Sequence, residues 1–132
     1  MQDLSTFSSH CGIQVSDLEA SIEFYLGLGF TLQSRYQLPS GNGSNDHVAF
    51  LSFYGGLLEL YQLSNDKPCH NVGRINHFAI KVDDLSHIQI KLKEKHIDIL
   101  KGPKTLPFGC HGMQFLTIEG LDYERIEFKH FL

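Results

Sequence analysis

The chain has 132 residues, with 11 Lys and Arg against 15 Asp and Glu, so its net charge of −4 offers no basic face for nucleic acid. Hydrophobic residues at 42% and charged residues at 20% suit one ordinary packed domain over 1–132 and exclude a disordered chain. No apolar run approaches the roughly 18 residues of a membrane span, Met1 to Thr6 lack the pattern of a secretory signal, and the odd set Cys11, Cys69 and Cys110 forms no disulfide framework, so a cytoplasmic protein is expected.

In chain order, residues 8–15 read as a strand in which Ile13 and Val15 alternate with smaller or polar neighbours. Ser16 is the expected cap of a helix, with Glu19 completing a capping box. Leu18, Ile22 and Tyr25 or Leu26 give that helix one apolar stripe, and Gly27 and Gly29 end it. Strands follow near 30–37, 47–54 and 57–63, separated by the polar loop 39–45 and by Gly55-Gly56. Residues 64–74, with Asn65, Asp66, Pro68 and Gly73, read as a linker. The order then repeats. A strand near 75–82 leads to a helix capped by Asp83 or Asp84, with Leu85, Ile88 and Leu92 on its inner face. Extended segments follow near 97–101, 112–118 and 123–129.

The two halves share sequence as well as order. His10-Cys-Gly-Ile-Gln-Val-Ser-Asp-Leu18 matches His77-Phe-Ala-Ile-Lys-Val-Asp-Asp-Leu85 at an offset of 67, and Leu58-Glu59-Leu60 matches Ile126-Glu127-Phe128 at an offset of 68. Two copies of one βαβββ unit are therefore expected, module 1 over about 7–63 and module 2 over about 75–130. The matched positions are polar where packing alone would ask for apolar residues. Glu59 and Glu127 point away from their apolar neighbours, because successive side chains of a strand face opposite ways. Buried alone, such carboxylates are costly. A shared divalent ion held by His10, Glu59, His77 and Glu127 would remove that cost, and two imidazoles with two carboxylates suit Zn, Ni, Co, Mn or Fe(II). The bland alternative is an amphipathic sheet whose glutamates face water.

The stretch His10-x-x-Ile13-x-Val15-x-Asp17-Leu18-x-x-Ser21-Ile22-x-Phe24-Tyr25-x-x-Leu28-Gly29-Phe30, together with Leu57-Leu58-Glu59-Leu60, Ile75-Asn76-His77-Phe78-Ala79-Ile80 and Tyr123-x-x-Ile126-Glu127-Phe128, resembles the vicinal oxygen chelate superfamily. That superfamily includes glyoxalase I, methylmalonyl-CoA epimerase, extradiol dioxygenases and antibiotic-resistance proteins. The resemblance, strongest to glyoxalase I-like lactoylglutathione lyases, implies an α+β fold of two βαβββ modules forming a cupped mixed sheet around a metal. It also implies that His10, Glu59, His77 and Glu127 are the ligands, that Glu127 or Glu59 serves as the base, and that the chain pairs as a homodimer. Spacings of 49, 18 and 50 residues between these four positions agree with the glyoxalase I branch.

The implied function is a metal-dependent lyase or isomerase acting on a small molecule with vicinal oxygens through a metal-bound enediolate. The presence of Glu59 favours this over an extradiol-type dioxygenase. A non-catalytic drug-binding protein is the other alternative. Gln14 and Leu63 stand where small bacterial glyoxalase I enzymes hold glutathione with Arg and Asn, and a neutral Gln cannot grip a carboxylate as Arg does, which leaves open whether glutathione or another thiol is used. Cys110-His111 and Gly41-Asn42-Gly43 read as loops, and Lys91, Lys93 and Lys95 as a solvated helix face. Phe50, Phe53, Tyr54, Phe108 and Phe115 suit either a pocket lining or the core.

Overall fold

The computed structural model describes residues 3–7, 9–41, 43–53, 55–64, 72–121 and 124–132. Asn42, Tyr54, Cys69, Tyr123 and the linker stretch 65–71 lie outside them, as does the side chain of Phe53.

The chain divides into two units, one spanning His10–Asn76 and the other comprising Asp3–Ser9 with His77–Leu132. The first holds β1 (Ser9–Gln14), α1 (Leu18–Gly27), β2 (Thr31–Pro39), β3 (Asn45–Phe53) and β4 (Gly56–Gln62). Its strands run in the order β2-β3-β4-β1. β1 pairs with β4 in parallel, and the other neighbours are antiparallel. The second unit holds β5 (Ile75–Lys81), α2 (Leu85–Glu94), β6 (Lys101–Leu106), β7 (Met113–Glu119) and β8 (Arg125–Phe131). Their order is β5-β8-β7-β6, and β5 pairs with β8 in parallel. This is the α+β, twice-βαβββ architecture expected. A short 3₁₀ turn at Leu4–Thr6, capped by Asp3, was not anticipated.

Each helix covers one face of its own sheet. Leu18 and Ile22 of α1 pack on Ala49, Leu51 and Leu60, with Ile13, Val15, Tyr25, Phe30, Leu32 and Leu58 around them. Leu85 and Leu92 of α2 pack on Leu116 and Ile118, flanked by Val82, Ile88, Ile99, Ile126 and Phe128. Burying each large aliphatic side chain contributes about 1.5–3 kcal/mol. Because side chains alternate along a strand, this packing turns His10, Glu59, Glu127 and their same-face neighbours away from the helices.

Two boundaries differ from expectation, and one open choice is settled. Asp17, not Ser16, caps α1, its carboxylate accepting from the Ala20 amide at 3.1 Å. A carboxylate suits the positive helix end better than a hydroxyl. The adjoining Leu18 amide donates to Gln62 Oε1 at 2.8 Å, and Glu19 pairs with Arg35 instead of forming the capping box. Asp84 is the member of the Asp83–Asp84 pair that caps α2, accepting from the Ser86 amide at 2.8 Å. The segment expected near 97–101 becomes a strand only from Lys101 to Leu106. The alternating Ile97 and Ile99 suggested the earlier start, but the Ile97 amide closes the helix end on Leu92 O and Ile99 packs under α2. Pro103 then sits in the outermost strand of its unit, where a missing amide costs least.

Candidate metal centre

Each unit brings one His–Glu pair together, and the two pairs repeat one construction. In the first unit His10 Nε2 lies 3.7 Å from Glu59 Oε1, and in the second His77 Nε2 lies 3.5 Å from Glu127 Oε2. The parallel registers explain the repetition. Gly12 stands across from Glu59 and Ala79 across from Glu127, so each histidine lies two residues before its glutamate's partner on the same face. Across the parallel ladder the residue beside each glutamate is small. His10, Glu59 and Glu127 are buried, at 4%, 8% and 7% exposure, and His77 is half-buried.

The separations are too long for ordinary hydrogen bonds. They suit donors flanking one ion at about 2.0–2.2 Å each, which at an angle of about 110–120° lie roughly 3.5–3.7 Å apart. Electrostatics point the same way. Burial pushes the Glu127 carboxyl above the usual carboxylate range, while His77, Lys129 and Lys101 pull it partly back. A divalent cation is the group that would make a charged carboxylate favourable there. The donor set, imidazole nitrogen and carboxylate oxygen in each unit, fits such an ion.

Aromatic residues sit beside the donors. Phe50, paired in register with Glu59, packs edge-on against His10 at 5.9 Å and against Tyr36 at 6.1 Å between ring centres. Phe115 shares a face with Glu127, since it stands opposite Lys129, two residues along β8. Gln14 is buried on the face of His10, and its backbone carbonyl accepts from the Gly73 amide at 2.7 Å. Cys110 is exposed and bonded to Asp3, which holds its thiol above the usual range, so the loop reading of Cys110-His111 stands. The lysines of α2 cluster at its C-terminal end, where they complement the helix dipole.

The sequence reading passed over Gly12, Ala79, Lys101 and Lys129. The first two were legible, since each repeat has a small residue two places after its histidine. Lys129 was not, because a lysine in an amphipathic strand ordinarily faces water, whereas here its exposure is 0%.

Residues 8–128 match the Glyoxalase/Bleomycin resistance protein/Dioxygenase superfamily. The chain belongs to this superfamily. The YwbC protein of Bacillus subtilis (strain 168) is 35% identical over 125 residues, covering 90% of this chain and 93% of its own. The mitochondrial methylmalonyl-CoA epimerase of Bos taurus is 29% identical over 122 residues, covering 86% of this chain and 67% of its own. The crystal structure of methylmalonyl-CoA epimerase from Mycobacterium tuberculosis superposes with a TM-score of 0.75 at 20% identity, over 98% of this chain and 92% of its own, which is a likeness of fold. The activity named among these superfamily relatives is thus epimerisation, where the sequence reading leaned to glyoxalase I.

Proposed function

We propose that this chain is a metal-dependent isomerase that moves a proton at a carbon next to a carbonyl, with His10, Glu59, His77 and Glu127 as the ligands of one divalent ion. The observation that carries this reading is the repeated His–Glu pair, at 3.7 and 3.5 Å, in equivalent places of the two units. The relatives named as epimerases favour the isomerase branch over glyoxalase-type lyase chemistry. So does Gln14, which supplies no charge for a glutathione carboxylate.

When bound, the ion supplies a Lewis acid that stabilises negative charge on substrate oxygens. Glu127 takes the proton from the carbon. Glu59, held against His10 in the other unit, is the second carboxylate able to carry a proton. The apolar surroundings of Phe50 and Phe115 limit competing water. The chain acts as a homodimer in this reading. Phe24 and Leu28 at α1, and Phe78 and Ile80 on β5, are exposed apolar residues that support self-association.

The test is proton exchange. Metal-loaded protein is incubated with methylmalonyl-CoA in D2O, and the signal of the carbon-bound proton between the two carbonyls is followed by NMR. The reading expects metal-dependent loss of that signal, slowed on the order of 10²-fold or more by Glu127→Gln. Exchange that is indifferent to metal and to Glu127 would remove it.

A further inference from the structure

In the first unit, β2 breaks its alternation on the way to the face that carries His10 and Glu59. Its register against β3 shifts between Leu32 and Ser34. Leu32 pairs with Leu51, and both pack in the core under α1. Ser34 pairs with Phe50, which in turn pairs with Glu59. Simple alternation would return Ser34 to the side of Leu32. The bulge instead turns two consecutive residues, Gln33 and Ser34, to the Glu59 side, and bulges re-aim side chains in this way beside functional sites.

Gln33 is 6% exposed, and its Nε2 donates to Ser52 Oγ at 2.7 Å. Ser52 pairs with Leu57, two residues along β4 from Glu59. Diagonal neighbours of this kind stand about 7–8 Å apart. Because Ser52 Oγ accepts from Gln33, its own proton points elsewhere, and the half-buried side chain presents it to the Glu59 face. Ser34 Oγ is buried and has no hydrogen-bond partner. An unpaired buried hydroxyl asks for a physical reason, and a partner carried in by a substrate supplies one. Ser34 as a whole is half-buried, so rotation about its Cα–Cβ bond brings the hydroxyl to the open side. Register places no lysine or arginine on this face among the described residues, and its carboxylates are Glu59 and Asp46. Arg35 is on the other face, opposite Ala49 and held by Glu19.

We propose that Ser52, oriented by Gln33, forms with Ser34 an uncharged subsite that hydrogen-bonds a neutral oxygen of the substrate, a hydroxyl or carbonyl, a few atoms beyond its metal-bound oxygens. The assignment rests on the metal-dependent isomerase reading for the anchored end of the substrate. Two carboxylates and no cationic side chain on this face disfavour an anion at the far end. The Phe50 ring beside both serines suits an apolar segment joining the two ends. The substrate class is therefore a small chelating molecule whose tail carries a neutral polar group. Gln33 is a positioning residue, since it acts through Ser52.

The probes are γ-hydroxybutyrohydroxamate and its isostere valerohydroxamate, which share a metal-chelating head and differ in a terminal hydroxyl against a methyl. Both are titrated calorimetrically into zinc-loaded and metal-free full-length protein. The zinc-loaded wild type should bind the hydroxyl probe about fivefold more tightly than the methyl probe. Ser52→Ala should bring that ratio to within about twofold of unity while leaving the methyl probe's affinity within about twofold. Ser52→Thr should retain the ratio, and Gln33→Leu and Ser34→Ala should lower it. A general packing defect would weaken both probes alike. Ser34→Ala removes an unpartnered oxygen, so it gives the reading if Ser52→Ala fails to fold. Equal binding of the two probes by the wild type, or a ratio unchanged in both serine variants, overturns the subsite alone. Binding of neither probe overturns the subsite together with the metal reading. A hydroxyl preference that is the same with and without zinc overturns only the metal reading.

Discussion

Across the parallel ladders Glu59 stands opposite Gly12 and Glu127 opposite Ala79, residues with almost no side chain. Gly12→Val and Ala79→Val would each place a branched side chain beside a carboxylate of the proposed site. Overpacking of this kind costs about 1–3 kcal/mol. The expected outcome is a folded variant, judged by circular dichroism, whose zinc affinity by competition with a chelating dye falls at least about tenfold. Unchanged affinity would show that the space opposite the glutamates is irrelevant to binding. Glu127 makes a second prediction. Its burial opposes its own charge, so the metal-free protein carries a strained carboxylate. Metal-free Glu127→Gln should therefore melt no lower than metal-free wild type, while added zinc should raise the melting temperature of the wild type alone. The four candidate ligands stood out in the sequence because duplication marked them. The lysines could not, because burial of a strand lysine depends on what covers the sheet, which no local pattern reports.

At the scale of elements, the helices are held by aspartate caps whose strength depends on ionisation. The Ser86 amide lowers the Asp84 carboxyl below its usual value. A carboxylate lowered on folding contributes stability that is fully present above its unfolded value and is lost as pH falls through the folded one. The gap in melting temperature between wild type and Asp84→Ala should therefore hold steady from pH 7 to pH 5 and close below the ordinary carboxylate range. A gap that does not change with pH would mean that charge plays no part in the cap. His96, just past α2, has a φ of 58°, a left-handed conformation that costs a non-glycine residue roughly 1 kcal/mol. His96→Gly should raise the melting temperature by a few degrees. Most strands were legible from alternation and their turns from glycines. Ser16 and the start of β6 were misplaced for one reason. Adjacent residues of similar propensity compete for a boundary, and long-range partners such as Gln62 for the Leu18 amide settle the competition.

For the whole molecule, duplication is the organising fact. Two units with the same strand order, the same parallel β1–β4 and β5–β8 pairings and the same His–Glu spacing argue that one supersecondary unit was used twice. In the isomerase reading both copies donate to a single ion, and the function depends on that sharing. Metal analysis by mass spectrometry on wild type, His10→Ala, Glu59→Gln, His77→Ala and Glu127→Gln tests it most directly. One equivalent of a divalent metal per chain in the wild type, with loss in variants of either unit, is the expected result. A metal-free wild type after growth and purification with added zinc, nickel, cobalt, manganese and iron would contradict the account, as would full occupancy in the four variants.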